Sequence, residues 1–255
     1  MDKQNIRKML IKVPEITVIF WVIKILTTGM GEIFSDWFCA AIDKYVAVML
    51  GLLFLIISLI IQLLVRKYIP YVYWFAVLMV SIFGTMFADV LHIGLGIPYI
   101  VSTIFFAVLM IIIFVWWQKS EKTLDIHSIF TTRREIFYWL TVLVTFAFGT
   151  AAGDFTATTL HLGYLASAIL FAVTICLPWI GAAVWHWNEI FAFWFAYILT
   201  RPLGASIADW ISMPKSSGGL DFGKGLISLV MFIIIVILVA YLSFTYKSKT
   251  TAIEN

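Results

Sequence analysis

Charged side chains are scarce in this 255-residue chain. They make up 12% of it, about half the share usual in a soluble domain. Cysteine is scarcer still. Cys39 and Cys176 lie far apart, the second inside an apolar run, which argues against a disulfide and leaves too few ligands for a zinc site. There is no glycine-rich nucleotide loop, no His-Glu-x-x-His and no Gly-x-Ser-x-Gly, and no soluble segment to hold a cofactor. An enzyme and a resident cofactor are therefore not expected. The N-terminal stretch is basic and polar, and the apolar run after it lacks a small-residue cleavage pattern. That run is expected to be a membrane helix and not a cleaved signal. The net charge of +3 sits at the edges of apolar runs, which gives no case for a nucleic-acid partner.

What the chain has is apolar length. Hydrophobic residues make up 63%, in runs of roughly 20 that do not alternate, so spanning helices are expected and a β-barrel is not. The expected fold is an all-α polytopic membrane protein with eight spans. They run over Val13–Phe38, Val46–Val65, Tyr71–Leu91, Ile97–Trp117, Ile136–Phe155, Leu162–Trp185, Glu189–Ile211 and Leu226–Tyr246, with a polar link at Gln118–Arg134. With the N-terminus inside, the inner segments hold Lys3, Arg7, Lys8, Lys12, Arg66, Lys67, Lys119, Lys122, Arg133, Arg134, Lys247 and Lys249. The outer loops hold only Lys44, Lys215 and Lys224. Both termini are then expected in the cytoplasm.

One stretch recurs four times at constant spacing: an aromatic, Trp, nine residues, Gly, four residues, Asp. It reads Phe20-Trp21, Gly31, Asp36; Tyr73-Trp74, Gly84, Asp89; Tyr138-Trp139, Gly149, Asp154; and Phe193-Trp194, Gly204, Asp209. Fixed-period similarity marks a repeat architecture. The units, about 13–66, 67–118, 134–186 and 187–247, each begin on the same side, so they are parallel repeats about an axis along the membrane normal. The odd spans carry the polar groups and the even spans are apolar all round. The odd helices are therefore expected to form an inner ring with the even ones facing lipid.

Helical periodicity puts Trp and Asp about 60° apart around the axis and about 22 Å apart along it. Between them, seven and eleven residues after the Trp, lie Thr28 and Glu32, Ser81 and Thr85, Phe146 and Thr150, and Arg201 and Ala205. This polar stripe, with Lys24 below it, is the expected path for an ion or solute. Arg201 is placed to reach Glu32 across the ring, and Lys24 to snorkel inward toward Glu15. Asp36, Asp89, Asp154 and Asp209 form either an outer carboxylate ring that attracts cations or a set of structural ties. The repeat Gly is expected to permit close helix packing. Trp21, Trp74, Trp139 and Trp194 fit an interface anchor and a core role equally. His92 and His161, near the outer mouth, are candidates for a bound metal ion. Pro178 and Pro202, inside spans, are expected to kink their helices.

The four tryptophans, with the run Lys12-Val13-Pro14-Glu15-Ile16-Thr17 through Phe20-Trp21, Lys24, Thr27-Thr28, Gly31-Glu32 and Asp36, resemble a bacterial membrane-protein family. That family is built from four tandem two-helix repeats of unknown function, each with a characteristic Trp. The resemblance implies eight helices in a bacterial inner membrane and supplies no activity. The residues favour a transporter of a cation, proton-coupled or divalent, or of a small polar solute. An ion channel or ion-sensing scaffold is the alternative, and an intramembrane enzyme the third. Partners are the lipid bilayer and the small ion or solute, and a monomer and a homo-oligomer both fit.

Overall fold

The computed structural model describes residues 11–254. Its helices are α1 (Val18–Ala41), α2 (Lys44–Leu64), α3 (Pro70–Asp89), α4 (Tyr99–Glu121), α5 (Thr132–Asp154), α6 (Gly163–Thr174), α7 (Cys176–Val184), α8 (Glu189–Ser212) and α9 (Lys224–Glu254). They supply eight segments long and apolar enough to cross a membrane, α6 and α7 together forming the sixth. Lys3, Arg7 and Lys8 lie outside the described residues, as do the side chains of Lys247 and Lys249.

Local chemistry sets the ends. Thr17, Asp43, Thr131 and Asn188 each accept a hydrogen bond from a free N–H in the first turn of α1, α2, α5 and α8, and Pro70 opens α3 where no donor is needed. α3 and α5 each widen into a π turn directly after the repeat Asp, over Val90–Gly94 and Phe155–Thr159. The sixth span breaks at Ile175, because Pro178 has no N–H for the Thr174 carbonyl. Pro202, also expected to kink its helix, lies inside the continuous α8.

α1, α3, α5 and α8 pack in a closed circuit, each against two of the others, α8 returning to α1. Buried residues make up 61–78% of these spans and only 17–28% of the outer ones. Each outer helix covers the inner helix of the following unit: α2 lies on α3, α4 on α5, α6 and α7 on α8, and α9 on α1. Their other faces, such as Ile104, Ile111 and Ile112 on α4, are exposed apolar surface suited to lipid.

Two layers of side chains close the circuit. In one, the aromatic before each Trp packs on the Trp of the next unit. Phe20 meets Trp74 at 5.7 Å between ring centroids, Tyr73 meets Trp139 at 5.6 Å, Tyr138 meets Trp194 at 6.2 Å and Phe193 meets Trp21 at 5.8 Å. Each also contacts its own neighbouring Trp edge-on, so eight rings form one collar. Trp74, Trp139 and Trp194 are buried, so the core role holds for them.

The other layer is made by the glycines, and it bears out the close packing expected of them. A Cβ on Gly31 would overlap Ser81, one on Gly84 would meet Phe146 Cβ at 2.5 Å, one on Gly149 would overlap Arg201, and one on Gly204 would meet Thr28 Cβ at 2.7 Å. In every case the neighbour is the residue seven after the next unit's Trp. Adding a methyl therefore forces two backbones apart. Gly204→Ala is expected to destabilise the protein by about 1–3 kcal/mol through overpacking. Gly94→Ala, whose methyl would meet only Val90 at 3.8 Å, should be far milder. Thermal unfolding of the two purified variants in one detergent checks the contrast.

Candidate functional site

The residues above the collar stand in tiers about 6 Å apart, one for each four-residue step along the inner helices. In the lowest, Lys24 is fully buried and donates to the Tyr197 hydroxyl at 2.5 Å, with its ammonium 3.8 Å from the Tyr197 ring centre. The expected snorkelling toward Glu15 does not occur. A phenol and two aromatic faces hold the ammonium, with Phe146 at 4.7 Å.

The next tier holds Thr28, Ser81, Phe146 and Arg201. Arg201 Nη1 donates to Thr28 Oγ1 at 2.8 Å, and the guanidinium lies on the Phe146 ring. Arg201 Nε and Nη2 and Ser81 Oγ are buried without a hydrogen-bond partner among the described residues.

One tier higher, Glu32 Oε2 accepts from Thr85 at 3.0 Å and from Thr150 at 2.8 Å, and the two hydroxyls are 3.2 Å apart. Units one, two and three thus share one carboxylate. The expected Arg201–Glu32 ion pair is absent among the described residues. Phe146 and Thr28 hold the guanidinium one tier below, and threonine hydroxyls take its place on the carboxylate.

The four aspartates occupy the top tier. Asp89, Asp154 and Asp209 lie within electrostatic range of Asp36 and Glu32. Asp36 bonds Lys224 Nζ at 2.5 Å, tying α1 to the start of α9. Asp209 is buried, with Oδ1 unpartnered. Asp36 therefore has a structural tie, and among the described residues the other three have no ion pair.

Beyond the top tier, the His92 ring packs on Tyr99 at 3.2 Å, and His161 is exposed with φ +55°. Among the described residues, no three His, Cys, Asp or Glu side chains are grouped so as to hold a metal ion. Cys39 and Cys176 are free thiols.

The collar fills the axis at the opposite end. Tyr73 and Tyr138 share a hydroxyl hydrogen bond of 2.5 Å, and Phe20 and Phe193 face each other at 6.4 Å. Beneath it runs the segment preceding α1. Its backbone bonds both flanking connections, Lys12 N to Ile129 O at 3.1 Å and Tyr68 N to Ile11 O at 3.2 Å. Lys12 Nζ pairs with Glu135 Oε2 at 2.6 Å, and Gln62 Nε2 donates to Glu135 Oε1 at 2.9 Å, all three side chains buried. Trp194 Nε1 bonds Leu124 O at 2.9 Å, fastening the polar link to the collar. Burial raises the Tyr68 phenol pKa above its ordinary value.

Sequence reasoning finds the stripe residues that converge here, Lys24, Thr28, Glu32, Ser81, Thr85, Thr150 and Arg201. It misses Tyr197, the Tyr73–Tyr138 bond and the Lys12–Glu135–Gln62 group. The available signal was a Gln and a Glu at the inner ends of apolar spans. A separate apolar cavity of about 390 Å³ opens between α1, α7 and α8, lined by Trp21, Ile25, Pro178, Trp179, Phe193 and Thr200.

Eight spans, a recurring unit and polar groups turned inward define a multi-pass α-helical membrane protein with internal repeats. The chain belongs to the Repeat of Unknown Function (DUF347) family, which matches residues 72–123, 137–190 and 192–248. Each matched segment holds one inner helix and the outer helix after it; the first unit, with Lys24 and Glu32, lies outside them. No curated protein and no solved structure matches the chain.

A buried ion pair is worth most when one partner is removed. Glu135→Leu leaves the Lys12 ammonium buried against the Leu63 carbonyl without its carboxylate and should destabilise the fold by about 3–5 kcal/mol, whereas adding Lys12→Met should recover much of that. Denaturation midpoints of the single and double variants measure the difference.

Proposed function

We propose that the protein is a transporter whose path follows the ring axis, carrying a small cation or a small polar solute with protons as the coupling ion. The observation that carries this is Glu32. It is a carboxylate within a membrane span, held among the described residues by two neutral hydroxyls from other units. No ion pair reaches it among the described residues, and intramembrane ionisable residues are costly to keep and mark ion and proton pathways. The aspartate tier above it concentrates cations at one mouth.

In this reading the tiers are stations. A cation or proton enters past Asp89, Asp154 and Asp209 and exchanges at Glu32, where Thr85 and Thr150 supply oxygen ligands or relay hydroxyls. The aromatic collar is the closed gate. Passage requires the Tyr73–Tyr138 bond to part and the Lys12–Glu135 pair beneath it to release, so the two ends open in alternation. With the basic segments facing the cytoplasm, the aspartate tier faces outward across an inner membrane. The Asp36–Lys224 tie favours a structural role for that aspartate alone within the same scheme.

Proteoliposomes holding the full chain, subjected to rapid jumps of pH, Na⁺, K⁺ and Mn²⁺, should show charge movement that saturates with one of them. Glu32→Gln keeps the shape and both hydroxyl contacts, and should cut that movement at least tenfold while thermal unfolding stays within a few degrees. Unchanged movement in Glu32→Gln would remove Glu32 from the path. Silence to every ion would turn the reading toward a scaffold.

A further inference from the structure

Lys24 and Arg201 set a charge problem that the rest of the ring leaves open. Both are deep in membrane spans, 0% and 1% exposed, and among the described residues no carboxylate pairs with either. The nearest acidic group along the axis is Glu32, one tier above Arg201, and its Oε2 is engaged by Thr85 and Thr150. The aspartates lie two tiers above Arg201, about 12 Å along the helix. Phe146 contacts the guanidinium and its ring centre lies 4.7 Å from the Lys24 ammonium. A cation–π contact offsets only part of an ion's desolvation, and here one ring serves two ions.

The hydrogen-bond inventory gives the missing partner a shape. Arg201 spends Nη1 on Thr28, while Nε and Nη2 have no partner among the described residues. Those two nitrogens lie along one edge of the guanidinium plane, and their N–H bonds run side by side. That edge matches two oxygens on one planar carbon, the bidentate arrangement in which Arg binds carboxylates. Gly149 against the Arg201 stem holds the fork in place.

We propose that the free edge of Arg201, with the Lys24 ammonium one tier below, is a binding site for the carboxylate of a small organic solute. Arg201 supplies the two parallel donors and Thr28 orients it. Lys24, one tier below, supplies a second positive charge that favours an anion at the site. The site goes beyond the path reading and does not require that the ring conduct ions.

The test is equilibrium binding to the full chain in detergent, followed by thermal unfolding at constant ionic strength. Sodium acetate, sodium phosphate and sodium chloride are titrated separately. Acetate should raise the midpoint saturably, and chloride should not. Arg201→Lys, which keeps the charge and loses the fork, should weaken the apparent acetate affinity at least tenfold. Equal responses to acetate and chloride, a response to phosphate that acetate lacks, or unchanged affinity in Arg201→Lys would each overturn the assignment. If that variant does not fold, the comparison of anions on the native chain still decides. Acetate binding without ion flux would uphold this site and sink the path reading, and flux without acetate binding would do the reverse.

Discussion

Each inner helix presses the residue seven after its Trp into the glycine of the helix before it, and the fourth contact, Thr28 against Gly204, closes the circuit. The missing Cβ lets the backbones approach, which membrane helices need because lipid supplies no hydrophobic drive between them. The residues used as knobs, Thr28, Ser81, Phe146 and Arg201, are also members of the polar stripe. Close packing and the placing of polar groups on the axis are therefore a single event. The aromatic collar repeats the same sense of contact one level below, from Phe20 on Trp74 round to Phe193 on Trp21. Because both layers run the same way, they fix the order of units around the ring.

The chain is interlocked by its outer helices. Each covers the inner helix of the following unit, so the two helices of a matched family segment serve different neighbours. α9 covers α1, and Lys224 meets Asp36 where they join, which brings the first and last spans together. A repeat built this way lays its outer helix on the next copy and packs its inner helix against both neighbours.

The scaffold is symmetric and its charges are not. Lys24 and Glu32 occur in the first unit only and Arg201 in the fourth, and closure makes those units neighbours. Desolvation makes each such charge expensive in a membrane, so four copies of any one would strain the ring. Single copies, wrapped in hydroxyls and rings from the other units, concentrate the chemistry at one point of the axis: Thr85 and Thr150 serve Glu32, and Tyr197 and Phe146 serve Lys24.

The eight spans, the fourfold repeat, the split between polar and apolar helices and the stripe from Trp to Asp were all legible in the sequence. They follow from length, composition and the 3.6-residue period, which are local properties of a helix. The close-packing role of the glycines was legible for the same reason. What the tertiary structure decided was pairing. Arg201 meets Thr28 and Phe146 and leaves Glu32 to threonines, Lys24 meets Tyr197 in place of Glu15, and Lys12 finds Glu135 at a separation of 123 residues. A period fixes which face a side chain is on. Which neighbour it meets depends on the direction in which the ring closes and the height at which the helices lock, and those exist only once the four units have packed.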